Sequence, residues 1–317
     1  MIDSASTDPE TKRPAGRHRG RPPRIGLALG SGGARGWCHI GVLRGLAELG
    51  VEVDVVAGTS MGALVGAAFA AGRLDALEDW ARGLTQRKLV SLLDPSLRRG
   101  GLVEARQIEA MLAEIGIADR IEDFALPYIA VATDMETGRE IWLGEGPSHR
   151  AVRASVGIPG VMSPTRIDDR WLLDGGLVNP VPVSAARALG AEIIIAVNPN
   201  ARRYGRFWDA PAPKPGFEAR VSQFLPETLH ATLGIDPGAP GRPSEPNYFD
   251  VLTTAIDVMT DTIRRARLAG EPPHVQLNAE LTGISVLELY RCAEAVEEGA
   301  RIVAANARAI REVCGLD

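Results

Sequence analysis

Three short stretches of this sequence set reactive side chains among glycines. Ser60 stands in G-T-S-M-G, between Gly58 and Gly62. Asp174 opens D-G-G, followed by Gly175 and Gly176, and residues 30–36 read G-S-G-G-A-R-G. A serine in a G-x-S-x-G turn presents its hydroxyl above a sheet, because a side chain at either flanking position would crowd the bend; the chemistry on offer is attack on an acyl carbon. The same serine would also serve as an ordinary helix N-cap, accepting a backbone N–H. Asp174 follows R-W-L-L with little crowding around its carboxylate, the setting for a base at a strand end, although Asp-Gly-Gly is also plain turn chemistry. A glycine-rich turn opening a helix gathers backbone N–H groups that cradle negative charge. With Ser60 as nucleophile, these amides would hold the oxyanion of a tetrahedral intermediate. Arg35 would then add positive charge near an anionic part of the substrate; the plainer reading makes it a solvated helix residue.

Nucleotide chemistry is disfavoured at that loop. A P-loop ends in Gly-Lys-Ser/Thr, which is missing, and Arg35 fills the sixth position from Gly30, where a dinucleotide fingerprint needs Gly or Ala. The usual base for a serine nucleophile is histidine, and the chain has five: His18, His39, His149, His230 and His274. None clearly follows a strand, yet a Ser–Asp–His order through His230 or His274 remains open at this level. Asp174 is the stronger candidate. Asp134 reads either as a second carboxylate of the site or as a turn-forming structural residue.

These groups need a scaffold that collects them at one edge. R-I-G-L-A-L-G predicts a buried strand over residues 25–29, then the glycine loop and a helix carrying Ile40, Leu43, Leu46 and Leu49, stopped at Gly50. Val51, Val53, Val55 and Val56 favour a strand, and residues 63–71 a small, apolar helix ended by Gly72. Further helices are expected over 104–115, 149–155 and 249–268, with one or two more over 284–313. Two strands flank a turn at 136–138, another covers 193–197, and H-V-Q-L-N offers a last one. Alternating strands and helices argue for a mostly parallel sheet covered on both faces, with working groups just past the strand ends.

Composition sets outer bounds. The 317 residues are 45% hydrophobic and 24% charged, with a net charge of -5, which gives no argument for a nucleic-acid partner. Cys38, Cys292 and Cys314 are too few and scattered for a disulfide framework or a zinc site, and they suit a reducing cytoplasm. No apolar run approaches the roughly 18–20 residues of a membrane span, and the N-terminus lacks the apolar core of a signal peptide. Residues 1–24 are polar and basic and are expected to be disordered, a solvated tail or a weak attachment to anionic lipid. Residues 201–250 hold seven of the fifteen aromatic residues, among them Trp208, Phe217 and Phe224, in a Pro/Gly-rich setting. That enrichment suggests a lid that docks on lipid or a plug for the core.

The motifs at Gly30–Gly36, Gly58–Gly62 and Asp174–Gly176, in this order, resemble the patatin-like phospholipase family, above all its bacterial single-domain members. Residues 132–140, 153–161 and 177–183 support the likeness, which covers about residues 25–198. It implies a patatin-like α/β three-layer sandwich, with the nucleophile on a strand-turn-helix elbow. It implies a Ser60–Asp174 dyad without histidine, an oxyanion loop of Gly32, Gly33, Ala34 and Arg35, and hydrolysis of a lipid acyl ester, of the phospholipase or lysophospholipase type, with no metal or other cofactor. The expected organisation is a tail to 24, a catalytic domain over 25–198, a loop or lid over 199–250, and a helical extension over 251–317 packed on that domain. The expected location is cytoplasmic, with peripheral membrane contact. Alternatives are a histidine-triad esterase and a non-catalytic lipid-binding regulator. Headgroup, scissile position, chain length and oligomeric state have no signature in the sequence.

Overall fold

The computed structural model describes residues 22–87, 106–202, 207 and 248–316. The basic tail and nearly all of the aromatic-rich segment therefore lie outside the described residues. Strand β1 (Ile25–Leu29) leads through the glycine loop to α1 (Cys38–Glu48), β2 (Val55–Thr59), α2 (Met61–Ala70) and α3 (Leu74–Arg82). Next come α4 (Arg106–Glu114), β3 (Tyr128–Asp134), β4 (Glu140–Leu143), α5 (Ser148–Ser155) and the hairpin of β5 (Thr165–Ile167) and β6 (Arg170–Asp174). The chain closes with α6 (Val183–Ala188), β7 (Ile193–Asn198), α7 (Tyr248–Gly270), β8 (Val275–Asn278) and α8 (Cys292–Cys314).

One eight-stranded sheet runs β5-β6-β3-β2-β1-β7-β8, with β4 also paired to β3. The pairs β1–β2, β1–β7, β2–β3 and β7–β8 are parallel; those of β3 with β4 and β6, and of β5 with β6, are antiparallel. Alternation along the strands divides the core. Leu27, Leu29, Val56, Ile193 and Ile195 pack with the helices on one face. Ala28, Val55, Ala57, Ile194 and Ala196 face α6 on the other. Strands buried on both faces have no polar side to show, which explains their near-continuous apolar runs. The architecture is the expected three-layer α/β sandwich.

Two features differ from the sequence expectation. Strand β2 begins only at Val55, with residues 51–54 leading in without sheet pairing. The short β5–β6 hairpin forms the edge of the sheet. The last strand offered by H-V-Q-L-N forms as β8 and extends the sheet beside β7.

The register at β3 positions the site. Ala130 and Val131 pair β2 on one side and β4 on the other, while Ala132 and Thr133 pair β4 and β6. Strands β2 and β6 therefore share one edge of β3, end to end, and their C-termini meet head to head. The last residue of β6 is Asp174, and the residue after β2 is Ser60.

Candidate active site

Ser60 sits at φ 57°, ψ -125°, a left-handed conformation rare for a residue with a side chain. The strain belongs to the elbow. A Cβ on Gly58 would lie 2.3 Å from the Gly62 carbonyl oxygen, and one on Gly62 would lie 2.1 Å from that of Leu29. Only glycines let β2 turn directly into α2 against the end of β1. The Ser60 hydroxyl makes no cap hydrogen bond to the helix. It donates instead to Asp174 Oδ2 at 2.6 Å. The Ser60 N–H donates to Ser155 Oγ at 2.8 Å, and Ser155 Oγ donates to the Val131 carbonyl at 2.5 Å. Ser155, at the end of α5, thus fastens the elbow to β3.

Asp174 is held on three sides. Its Oδ1 accepts the Gly176 N–H at 2.7 Å, and its carbonyl accepts the Thr133 hydroxyl at 2.7 Å. Gly175 lies so close that a Cβ would come within 2.2 Å of the Val131 carbonyl oxygen. Burial raises the carboxyl pKa to about 6, against the lowering effect of the bonds from Ser60 and Gly176. Such a group is ionised at neutral pH and far more basic than an ordinary aspartate.

The glycine loop faces this pair. Gly33 has φ +52°, and a Cβ there would meet the Val286 carbonyl oxygen at 2.4 Å. That carbonyl accepts the Ala34 N–H at 2.9 Å, and the Arg35 N–H turns back to the Gly32 carbonyl at 3.1 Å. The Gly32 and Gly33 amides have no hydrogen-bond partner among the described residues. Of the expected oxyanion loop, the Ala34 amide is therefore committed to Val286 and the Arg35 amide to Gly32. The Arg35 side chain is buried, not a solvated helix residue. Its guanidinium donates to the Ile284 carbonyl, to Asn200 Oδ1 and to Asp257 Oδ2, at 2.8, 3.0 and 3.2 Å. It ties the loop to α7 and the C-terminal region, and part of its charge is already matched by Asp257.

A cleft of about 520 Å³, open to solvent, joins Ser60, Asp174, Gly32 and Gly33. Ile158, Pro159, Leu177, Ile256 and Val286 give it an apolar wall. Asp134 lies outside it: its Oδ1 accepts the Glu136 and Thr137 N–H groups, closing the turn after β3. The described histidines are engaged elsewhere. His39 Nε2 is 2.8 Å from the Gly30 carbonyl, His149 Nε2 is 3.2 Å from that of Ile117, and His274 Nδ1 accepts the Ile194 N–H. His18 and His230 lie outside the described residues. No group of three His, Cys, Asp or Glu among the described residues is placed to hold a metal ion. Sequence reasoning missed Ser155, Asn200, Asp257 and the cleft face of α7. Ser155 lies within residues 153–161, which support the family likeness, but carries no spacing signal, and the others fall in the region of weakest pattern.

An elbow serine, hydrogen-bonded to a buried aspartate, thus stands at one edge of a three-layer α/β sandwich. The patatin-like phospholipase family model matches residues 27–187, and the chain belongs to that family. An NTE family protein of Mycobacterium tuberculosis is 34% identical over 324 aligned positions, covering 87% of this chain and 89% of that one. Patatin-like phospholipase domain-containing protein 7 of Mus musculus is 37% identical over 185, covering 56% of this chain and 14% of the mouse protein. The crystal structure of VipD from Legionella pneumophila aligns with 90% of this chain and 67% of its own at 14% identity, with a TM-score of 0.46. Membership of a phospholipase family places the chain among the lipid hydrolases as a class.

Proposed function

We propose that this protein hydrolyses a carboxylic ester of a lipid through Ser60 and Asp174. The observation that carries the reading is the 2.6 Å bond from Ser60 Oγ to the buried Asp174 carboxylate. In the first half-reaction Asp174 takes the hydroxyl proton as Oγ attacks the ester carbonyl carbon. The Gly32 and Gly33 N–H groups receive the oxyanion, each donor contributing roughly 3–4 kcal/mol of transition-state stabilisation. The positive end of α2, at whose N-terminus Ser60 stands, favours the same negative charge. Collapse of the intermediate expels the alcohol, which takes the proton from Asp174. Water then attacks the acyl-enzyme, with Asp174 again as base, and restores Ser60. The apolar cleft wall suits the acyl chain, so the substrate is an ester drawn from a membrane or micelle that the protein meets peripherally, in the cytoplasm.

The test is to treat the protein with a long-chain alkylphosphonate and map the adduct by mass spectrometry. Labelling at Ser60, together with fatty acid release from a lipid ester that is lost in Ser60→Ala, is the expected result. Labelling at another serine, or undiminished release in Ser60→Ala, refutes the reading.

A further inference from the structure

The outer end of the sheet is covered on one face only. There Ala132 and Leu172 pack on Ala154 of α5, with Ile141, Leu143 and Ile167 around them. The strand register defines the opposite face. Val131 stands beside Trp142, Thr133 stands between Glu140 and Leu173, and Trp171 lies opposite Arg166. Alternation puts Trp171 on the same side as Leu173. Helix α6 reaches this face as far as Val131. Beyond it, Trp142 and Trp171 are 44% and 50% exposed. Met135, whose N–H donates to the Trp171 carbonyl at 2.8 Å, is 58% exposed.

Single apolar residues on a surface need no explanation, but a group of them does. The other large apolar side chains exposed among the described residues are Val251, Val258 and Met259, all on α7, which walls the cleft. The exposed apolar groups therefore belong to the elements around Ser60 and Asp174. Trp171 sits on the strand that ends at Asp174, three residues away and about 10 Å along the chain.

The charges of the sheet face are paired. Arg166 donates to Asp169, and Arg170 lies 4.0 Å from Asp134. Glu140 accepts the Trp142 Nε1–H at 2.6 Å and pairs with Arg267. A neutral face with two half-exposed tryptophans suits the boundary between lipid headgroups and acyl chains, where an indole keeps its ring in apolar surroundings and its N–H in polar ones. A second copy of the chain fits less well. With on the order of 100 Å² open on each of the three side chains, two such faces would bury roughly 600 Å² together. A specific dimer needs about twice that.

We propose that the face of Met135, Trp142 and Trp171 docks on a lipid surface, with both tryptophans at headgroup depth, and so brings the cleft to the bilayer. The assignment rests on the reading of Ser60 as a lipid ester hydrolase and adds to it the surface by which the lipid is met.

The experiment measures partition of the protein onto phosphatidylcholine vesicles by flotation, beside hydrolysis of a short-chain soluble ester. The wild type should bind these uncharged vesicles, with less than a twofold change between about 0.1 and about 0.5 M salt, because the face carries no surplus charge. Trp142→Ser/Trp171→Ser should weaken partition about a hundredfold, roughly tenfold per indole, and keep kcat/KM on the soluble ester within about twofold. Trp142→Phe/Trp171→Phe should keep binding within about threefold. In bound protein, brominated acyl chains should quench wild-type tryptophan fluorescence, and most of that quenching should vanish in the phenylalanine variant. That comparison stands even where the serine variant fails to fold. Equal fractional quenching in the two proteins overturns the proposal, as does undiminished partition of a folded serine variant. Binding by the wild type only to anionic vesicles, reversed by salt, overturns it in favour of basic attachment. A wild-type dimer that the serine variant turns into a monomer, with partition unaltered, overturns it in favour of contact between copies. Failure of the wild type to cleave the soluble ester counts against the hydrolase reading instead, whatever the vesicles show.

Discussion

A carboxylate accepts a serine proton poorly at its ordinary pKa, and here burial supplies the missing basicity. With the Asp174 pKa near 6, the ionised, competent form dominates above that pH. We expect kcat/KM for a soluble ester to fall about tenfold per pH unit below about 6 and to level off above it; a limb near 4 in the pH profile would show that Asp174 is not the titrating base. Ser60→Ala and Asp174→Asn should each lower kcat by about a thousandfold or more, and the double variant by little beyond either, because the two act as one unit. Single-turnover assays of the three variants check this, and additive losses would contradict it. Both residues were legible in the sequence because their flanking glycines answer a steric demand: Cβ atoms at Gly58, Gly62 and Gly175 would lie 2.1–2.3 Å from backbone oxygens. Ser155 was not legible. Its duty to the Ser60 N–H depends on a neighbour 95 positions away, and nothing local marks a serine for that.

The elements that carry the site are held by close backbone approach as much as by apolar area. Helix α1, which follows the glycine loop, packs on α8 through glycines at the crossing. A Cβ on Gly299 would lie 2.0 Å from the Cys38 carbonyl oxygen, and one on Gly41 would lie 1.9 Å from that of Val296. Alanine at a helix interior normally gains about 1 kcal/mol over glycine from backbone propensity. At Gly299 the overlap should win, and Gly299→Ala should destabilise the fold by about 2 kcal/mol. Gly270→Ala, where an added Cβ meets nothing within 4 Å, is the control and should be neutral or slightly stabilising. Urea denaturation midpoints decide between them; equal midpoints would mean that α1 and α8 separate at little cost. Helix α1 was readable from apolar residues at helical spacing, and α2, β3 and β7 from near-continuous apolar runs bounded by turn residues. Strand β5, three residues long, is too short to show a period. Helix α7 was readable as a helix, but its inward face was not readable as a cleft wall, since Thr253, Ile256, Asp257 and Thr260 mix hydroxyl, apolar and acidic side chains.

Across the whole molecule, the C-terminal region returns to grip the loop near the start of the chain. Carbonyls of Ile284, Val286 and Leu289 accept from Arg35, Ala34 and Trp37. Backbone acceptors leave no trace in side-chain types, so this closure could not be read from the sequence. On the other side of the same loop, His39 is fully buried and holds the Gly30 carbonyl at 2.8 Å. Burial lowers its pKa from 6.5 to about 4, against the raising effect of that hydrogen bond. The molecule thus encloses two groups that titrate in opposite senses. The unfolded chain takes up the His39 proton below about 6.5 and the folded one only near 4, so stability from His39 is complete above that window and falls as pH drops through it. Asp174 runs the other way: its contribution is complete below 3.8 and is lost as pH rises to about 6. Each shift is worth roughly 3 kcal/mol, so between pH 4 and 6 the two nearly cancel in the wild type. Removing one exposes the other. Relative to wild type, Asp174→Asn should gain stability as pH rises from 4 to 6, and His39→Gln should gain it as pH falls from 6.5 to 4. Denaturation curves at half-unit steps measure both differences. Slopes of the same sign would mean that one of the two groups is buried in the opposite charge state, His39 as a cation or Asp174 as an anion with a depressed pKa, and in the second case burial would not supply the basicity that the proposed proton transfer from Ser60 needs.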